Sequence, residues 1–385
     1  MTIGEIAPVT APVASASPHS EDQPRVWLVL GDKKGDNAQV YAIERALGWF
    51  CERRYVTMRE PWVVAKPKVS PSLHHIDRAR SDVLEPPWPD LVITIGRRPS
   101  MVALWIAEQS GGHTRLVLVG KPSGMMRRFD LIIASAEINL PPFDNVLPIS
   151  LPLMAVEDSR ISAAVEIWRE RLAELPRPLV AFLIGGATRP FVFDQAVTEQ
   201  LLELIRGVAA AGGTPYISTS RRTSQTTVRA LQANLPGSAK FYRWTPEDSA
   251  NPYLALLGLA DGFVVTGDSI SMLVEIVRLH RPLGILELRP RGLGRVVHLP
   301  HALSRRLPMS ATAAAKGRFR ESIARGLCRL GLFEGKRDIP AFCRMLFESG
   351  FAVPAGVPLV QPQGHVPDDR ERVVARIRGL MSPRL

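Results

Sequence analysis

The 385-residue sequence has only three cysteines, Cys51, Cys328 and Cys343, with neither CxxC spacing nor an even framework. A disulfide scaffold and a zinc cage are therefore not expected, and the usage fits a reducing compartment. There is no GxxxxGKS/T, and no GxGxxG follows an apolar run. A P-loop NTPase and a dinucleotide fingerprint both lack support, and Gly292-Leu293-Gly294 has no strand–helix context. No GxSxG marks a hydrolase elbow. The eight histidines form no HExxH or His-x-His pattern, so no metal site is expected, and His74-His75 in its Pro-rich stretch reads as surface. Aromatics make up 6% of the chain and do not interleave with basic residues along a strand, so no nucleic-acid partner is expected. No segment approaches the roughly 20 apolar residues that span a bilayer. Residues 1–24 carry no Lys or Arg and are rich in Ala, Pro and Ser. They lack the marks of a secretory or mitochondrial leader and read as a disordered tail, with the protein placed in the cytoplasm.

Positive charge is what the sequence has in excess. Lys and Arg number 48 against 37 Asp and Glu, a net +11. That balance favours anionic partners, whether phosphates, nucleic acid or an acidic membrane face, although solubility alone accounts for it equally well. Hydrophobic residues reach 46%, enough for real cores, and the length suits two domains.

Apolar runs alternate with helical periodicity along most of the chain. Strands are expected at 26–30, 91–95, 115–119 and 129–134, with helices at 38–51 and 99–109 between them. A Pro-rich stretch at 141–152 reads as an interdomain connection, followed by a helix at 158–174 and a break at Pro176-Arg177-Pro178. The second half repeats the pattern, with strands at 179–184, 215–218, 262–266 and 283–288 and helices at 194–211, 225–234, 252–259 and 269–279. Such alternation implies right-handed crossovers and parallel sheets. The fold class is α/β, two Rossmann-like parallel-sheet domains facing a cleft. A terminal helix at 368–381 is free to pack on either half.

Ligands of open α/β sheets bind beyond the carboxyl ends of the strands, so the loops there are the candidate sites. After the first strand, Gly31-Asp32-Lys33-Lys34-Gly35-Asp36-Asn37-Ala38-Gln39 concentrates more charge than a turn and helix cap require. Gly96-Arg97-Arg98 places two cations at a helix start, where the dipole disfavours them unless an anion is bound. In the second half, Gly185-Gly186 lets the backbone approach a ligand closely, with Thr188 and Arg189 following, and Thr219 to Thr223 adds Arg221 and Arg222 between hydroxyls. Thr266-Gly267-Asp268-Ser269-Ile270-Ser271 opens a helix whose N–H groups suit an anion, and Asp268 and Ser269 are also natural caps. Glu275, four residues after Ser271 on the same helical face, could accept hydrogen bonds from a ribose diol.

These pieces resemble the Elm (elongated mitochondria) family of mitochondrial fission proteins and its bacterial relatives. The similar stretches are GDKKGDNAQ at 31–39, GG at 185–186, TSRRT at 219–223, NPYLALLGLADGFVVTGDSISMLVE at 251–275 and KGRFRESIARGL at 316–327. The family looks like the GT-B glycosyltransferases, with its second half similar to the nucleotide-sugar domain of MurG-type transferases. The resemblance implies a tail at 1–24, an acceptor-side domain at 25–150, a linker and helix at 151–175, a nucleotide-side domain at 176–350 and an extension at 351–385. It implies that Ser269, Ser271 and Glu275 hold a nucleotide and that Arg221 or Arg222 neutralises its diphosphate. Gly185, Gly186, Thr266, Gly267 and Asp268 complete that site. Two departures are Ser224, where Pro is usual, and Ile276 to Arg281, which replaces small residues and Gly-Lys-Pro.

The function expected on this basis is a metal-independent transfer of sugar from a nucleotide diphospho-sugar, a co-substrate rather than a cofactor, to a lipid-linked or envelope-glycan acceptor. Asp36 or Asp32 would be the base, with Lys33, Lys34, Asn37, Gln39, Arg97 and Arg98 binding the acceptor or an anion. The alternative is a non-catalytic nucleotide-binding adaptor that recruits a protein partner, since the eukaryotic relatives are associated with recruiting a dynamin-related protein. Peripheral attachment to an anionic membrane, near Arg305, Arg306 and Leu307, is compatible with either.

Overall fold

The computed structural model describes residues 23–382 except 65–68, 124, 139, 141–142, 155, 189–190, 247, 249 and 290–336. Arg189, Gly292-Leu293-Gly294, Arg305, Arg306, Leu307, Cys328 and the 316–327 stretch lie outside the described residues, as does most of the expected tail.

Runs of five or six apolar residues become central strands because only a strand covered on both faces can keep every side chain from water. β1 (Val26–Leu30), β3 (Leu91–Ile95), β5 (Leu131–Ser135), β7 (Leu179–Ile184) and β10 (Gly262–Thr266) are buried along their whole length. β4 (Arg115–Val119), β8 (Thr214–Thr219) and β11 (Leu283–Leu286) complete the strands read from such runs. Each buried Val, Leu, Ile or Phe contributes about 1.5–3 kcal/mol relative to exposure. The core of the second sheet is built in this way, with Phe182, Leu183, Phe263 and Val265 at 0% exposure.

Four strands lie outside those expected from the sequence: β2 (Cys51–Tyr55), β6 (Val146–Ile149), β9 (Lys240–Tyr242) and β12 (Val353–Pro354). All four are edge strands. The sheets run β2-β1-β3-β4-β5-β6 and β12-β11-β10-β7-β8-β9. Glu52, Arg53 and Arg54 keep the β2 edge charged, and Pro148 sits in β6, where an edge tolerates a missing N–H. The expected interdomain connection at 141–152 thus holds a strand. β12 adds to the second sheet beyond the expected boundary at 350, after a helix from Ile339 to Glu348 that periodicity did not reveal.

The helices follow the expected order with adjusted ends. α1 (Lys34–Leu47) begins earlier than expected and stops at Gly48, whose left-handed φ of 67° ends it before β2. After α2 (Glu60–Val64) come α3 (Arg97–Gln109), α4 (Asp158–Ala173) and α5 (Gln195–Ala210). Then follow α6 (Gln225–Asn234), α7 (Tyr253–Leu259), α8 (Ile270–Arg278), α9 (Ile339–Glu348) and α10 (Arg370–Met381). Ser224, a departure from the family pattern, caps α6 by accepting the Thr227 N–H at 3.1 Å.

Contacts divide the chain into two units, 1–119 with 127–131 and 374–385, and 120–126 with 132–373. In the second sheet, numbering the strands from β7 gives the order 3-2-1-4-5-6, with its switch point between β7 and β10. In the first sheet the switch point lies between β1 and β3. Connections leave those neighbouring strands in opposite directions, which opens a crevice at their carboxyl ends.

Candidate functional site

At the switch point of the second sheet, the loops after β7, β8 and β10 meet. The Gly185 N–H donates to Thr266 Oγ1 at 2.8 Å, and the Gly186 N–H to Asp268 Oδ2 at 3.1 Å. The Thr266 hydroxyl donates to Asp268 Oδ1 at 2.8 Å. From the loop after β8, the Thr223 hydroxyl donates to the Gly185 carbonyl at 2.6 Å. Arg222 spans the group: its Nη2 lies 3.0 Å from Asp268 Oδ2 and donates to Ser269 Oγ at 2.7 Å, while Nη1 donates to Thr188 Oγ1 at 2.5 Å.

This geometry changes the reading of the two glycines. The close approach they permit was expected for a ligand, and the structure gives it to the protein itself. A Cβ on Gly185 would lie 2.3 Å from Asp268 Oδ1, and one on Gly186 would lie 2.0 Å from the Arg222 carbonyl oxygen. Asp268 is an internal anion seated against the Gly186 N–H. Burial pushes its carboxyl pKa up, while the Arg222 guanidinium, the Gly186 N–H and the Thr266 hydroxyl pull it back. Its side chain is 0% exposed, whereas that of Arg222 is 38% exposed.

Nor does Ser269 cap α8 through its side chain: no helix N–H reaches its hydroxyl, which accepts from Arg222 instead. The start of α8 thus retains its dipole charge without a side-chain cap, beside a guanidinium. Ser271 is exposed as the second residue of α8, and Arg221 is exposed in the loop after β8. Glu275 is half-buried and accepts a short hydrogen bond from the Tyr253 hydroxyl. Burial raises the Glu275 pKa, and Tyr253 pulls it back. Tyr253 itself is held well above its ordinary value by burial and by the Glu275 charge. Sequence reasoning missed this partner, although Tyr253 lies within the family-like stretch.

The loops after β1 and β3 form a second cluster, within the first unit. A cavity of about 190 Å³ is lined by Gly31, Asp32, Lys33, Asp36, Asn37, Gly96, Arg97 and Arg98. Lys33 pairs with Asp36 at 3.4 Å, and Asn37 Nδ2 donates to the Gly31 carbonyl at 2.8 Å. Lys34 opens α1, and Gln39 lies part-buried within that helix. Gly96, at φ 91°, precedes α3 in a backbone conformation that favours glycine. Burial lowers the Arg98 pKa, while Asp32 pulls it up. His75 corrects the surface reading of His74-His75: it is 1% exposed, and its Nε2 donates to the Arg98 carbonyl at 3.0 Å. Burial lowers its pKa, and the hydrogen bond to the Arg98 carbonyl pulls it back up. Among the described residues, no three His, Cys, Asp or Glu side chains gather as metal ligands would.

Comparison with known proteins finds a family model described as mitochondrial fission ELM1, matching residues 34–320. The mitochondrial fission protein ELM1 of Arabidopsis thaliana is 25% identical over 275 residues, 61% of this chain and 64% of that protein. This chain therefore spans under two thirds of that relative's length. An uncharacterized protein of Rickettsia prowazekii is 23% identical over 296 residues, 68% of this chain and 82% of the other. Among solved structures, the UDP-GlcNAc 2-epimerase of Methanocaldococcus jannaschii is similar at a TM-score of 0.47 and 10% identity, covering 92% of this chain and 99% of that one. The ADP-heptose LPS heptosyltransferase II of E. coli is similar at 0.41 and 15% identity, covering 68% and 84%.

Proposed function

The chain belongs to the mitochondrial fission ELM1 family, and from that premise we propose that it binds a nucleotide diphospho-sugar at the switch point of its second sheet and transfers the sugar to a hydroxyl acceptor. One observation carries the reading: Arg222 is held between Asp268 and Ser269 at the start of α8, with its side chain 38% exposed. A guanidinium fixed beside a helix N-terminus is suited to the charge that develops on a leaving diphosphate. Asp268 fixes where that guanidinium points, so little reorganisation is needed when an anion arrives. Arg221 and Ser271, both exposed, would complete the contacts, and Glu275 would reach a ribose only by sharing its carboxylate with Tyr253. Asp36, with Asp32 beside it in the first unit's cavity, is the assigned base for the acceptor hydroxyl. The transfer needs no metal in this scheme, because cationic groups of the chain supply the countercharge.

Calorimetry with UDP, GDP and CMP, free and as sugar conjugates, tests the proposal. A charge-assisted hydrogen bond contributes about 1.5–3 kcal/mol, so Arg222→Ala should weaken the preferred nucleotide by about 10- to 100-fold. Absence of heat from every nucleotide would sink the reading.

A second reading is favoured by Asp268 itself. It already neutralises Arg222, as a chain would that kept the fold and gave up turnover, leaving an adaptor that recruits a protein partner. The name of the Arabidopsis relative, a mitochondrial fission protein, fits that role. An adaptor should keep its partner when Arg221 and Arg222 are both replaced by Ala, whereas an enzyme should lose its nucleotide. Among the described residues no helix is long and apolar enough to cross a membrane. With a net charge of +11, peripheral attachment is proposed for either reading, to be read by sedimentation with anionic vesicles at varied salt.

A further inference from the structure

Glu275 stands in α8 between buried neighbours, Leu273 and Val274 before it and Ile276 and Val277 after it, so packing fixes where the helix carries its carboxylate. Six positions separate it from Ser269, a rise of about 9 Å along a helix. A nucleoside diphosphate whose phosphate meets Arg222 beside Ser269 would extend its ribose along α8 toward Glu275. The two neighbouring hydroxyls of a ribose match the two oxygens of a carboxylate, one donor to each. On Glu275 one of those oxygens is already taken. Its Oε2 accepts from the Tyr253 hydroxyl, and among the described residues no protein group donates to Oε1. Arg160 acts on Glu275 only through space, since its guanidinium is bonded to Glu157 at 3.0 Å.

Tyr253 is fixed in turn. It is the first residue of α7, its N–H donates to Asn251 Oδ1 at 3.0 Å, and its ring packs against the core of the second unit. A tyrosine has two side-chain torsions, so a packed ring determines where its hydroxyl lies. A ribose hydroxyl that sought Oε2 would have to displace this donor and leave the phenol without its acceptor.

We propose that Tyr253 determines how the site reads the sugar of its nucleotide: by holding Oε2 it leaves Glu275 a single oxygen, so one ribose hydroxyl is selected and the other is ignored. The ligand class is then a nucleoside diphosphate whose ribose is either intact or deoxygenated at the unread position. This rests on the nucleotide reading above and deepens it, with Tyr253 as a positioning residue that need not touch the ligand.

The test is calorimetry of the full chain with UDP, GDP and ADP, each beside its 2′-deoxy and 3′-deoxy forms. It is run at pH 8, because burial raises the Glu275 pKa and the ionised carboxylate is the acceptor in question. For the base that binds, one deoxy form should be weaker by about tenfold or more, the loss of a hydrogen bond to a charged group, and the other by less than about twofold. Tyr253→Phe keeps the packed ring and frees Oε2, so the deoxy form tolerated by the parent should now fall about fivefold or more behind the intact nucleotide. A hydroxyl that merely joined α7 to α8 would, on removal, weaken all three nucleotides by one common factor, and that result would overturn the proposal. If Tyr253→Phe fails to fold, the three nucleotides on the unaltered chain still decide it. Equal losses for both deoxy forms, or none for either, would overturn the one-hydroxyl reading while leaving nucleotide binding intact. Absence of binding by every nucleotide would overturn both together, so the two failures are told apart by whether any heat is seen.

Discussion

Arg222→Ala should destabilise the protein more than Asp268→Asn, although both remove the same ion pair. The asymmetry follows from burial: the Asp268 side chain is 0% exposed and that of Arg222 is 38% exposed. Deleting the arginine strands a carboxylate among the Gly186 N–H and the Thr266 and Ser269 hydroxyls. Breaking a fully buried pair from one side costs about 3–5 kcal/mol. Solvent at Arg222 and the surviving hydrogen bonds reduce this to about 2 kcal/mol. Asp268→Asn leaves a guanidinium that water can reach, at a cost of about 0–1 kcal/mol. The pH dependence has a definite sign. The folded pKa of Asp268 lies above its ordinary 3.8, so its contribution to stability is full below that value and is lost as pH rises through the folded one. Arg222 pulls that pKa down, and removing it raises the pKa further, so the deficit of Arg222→Ala should be larger at pH 8 than at pH 5. Urea unfolding at both pH values, followed by circular dichroism and tryptophan fluorescence, measures it. Equal costs for the two substitutions, or an Arg222→Ala deficit that ignores pH, would refute the reasoning.

Gly186→Ala should cost about 1–3 kcal/mol or more, because the new methyl meets the Arg222 backbone and not a yielding side chain. Gly35→Ala should instead stabilise by about 0.5–1 kcal/mol, since the site lies in α1 with nothing within 4 Å; thermal melts compare the two, and a stabilised Gly186→Ala would contradict the packing described. Burial raises the Glu275 pKa, so its contribution falls as pH rises, and Glu275→Gln should compare better with the parent at pH 8 than at pH 5 in urea midpoints. Burial holds the thiols of Cys51 and Cys343 at a pKa of about 12. In a Cys328→Ser chain neither should react with Ellman's reagent at pH 7.5 until denaturant is added, and immediate release of a full equivalent would show that burial wrong.

The parts of the fold legible in the sequence are those whose environment is uniform. β7 and β10 are apolar at nearly every position because both faces are covered, and a continuous run is the signature of that state. None of the four edge strands is among those expected from such runs. Cys51–Tyr55 carries three charges, and Val353–Pro354 is two residues long, so neither differs in composition from a loop. They are strands because a neighbour offers its free edge, a fact about partners and not about the segment. Candidate residues were legible for a related reason: loops rich in Gly, hydroxyl and charge follow buried strands, and strand ends are where ligands bind. Arg222, Asp268 and Ser269 could be named one by one, but their mutual bonding could not.

By itself the sequence determined the α/β class, the order of its central strands and helices, and the loops on which polar chemistry concentrates, because apolar runs and helical periodicity are local properties. Only the tertiary structure decided what those loops do to one another. It set Asp268 against the Gly186 N–H, turned the Ser269 hydroxyl from a cap into a partner of Arg222, and engaged Glu275 with Tyr253. It also buried His75 beneath the Arg98 carbonyl and brought Asn37 and Arg98 to one cavity. Those contacts join residues tens of positions apart, and parallel pairing across a switch point is what brings them within bonding distance.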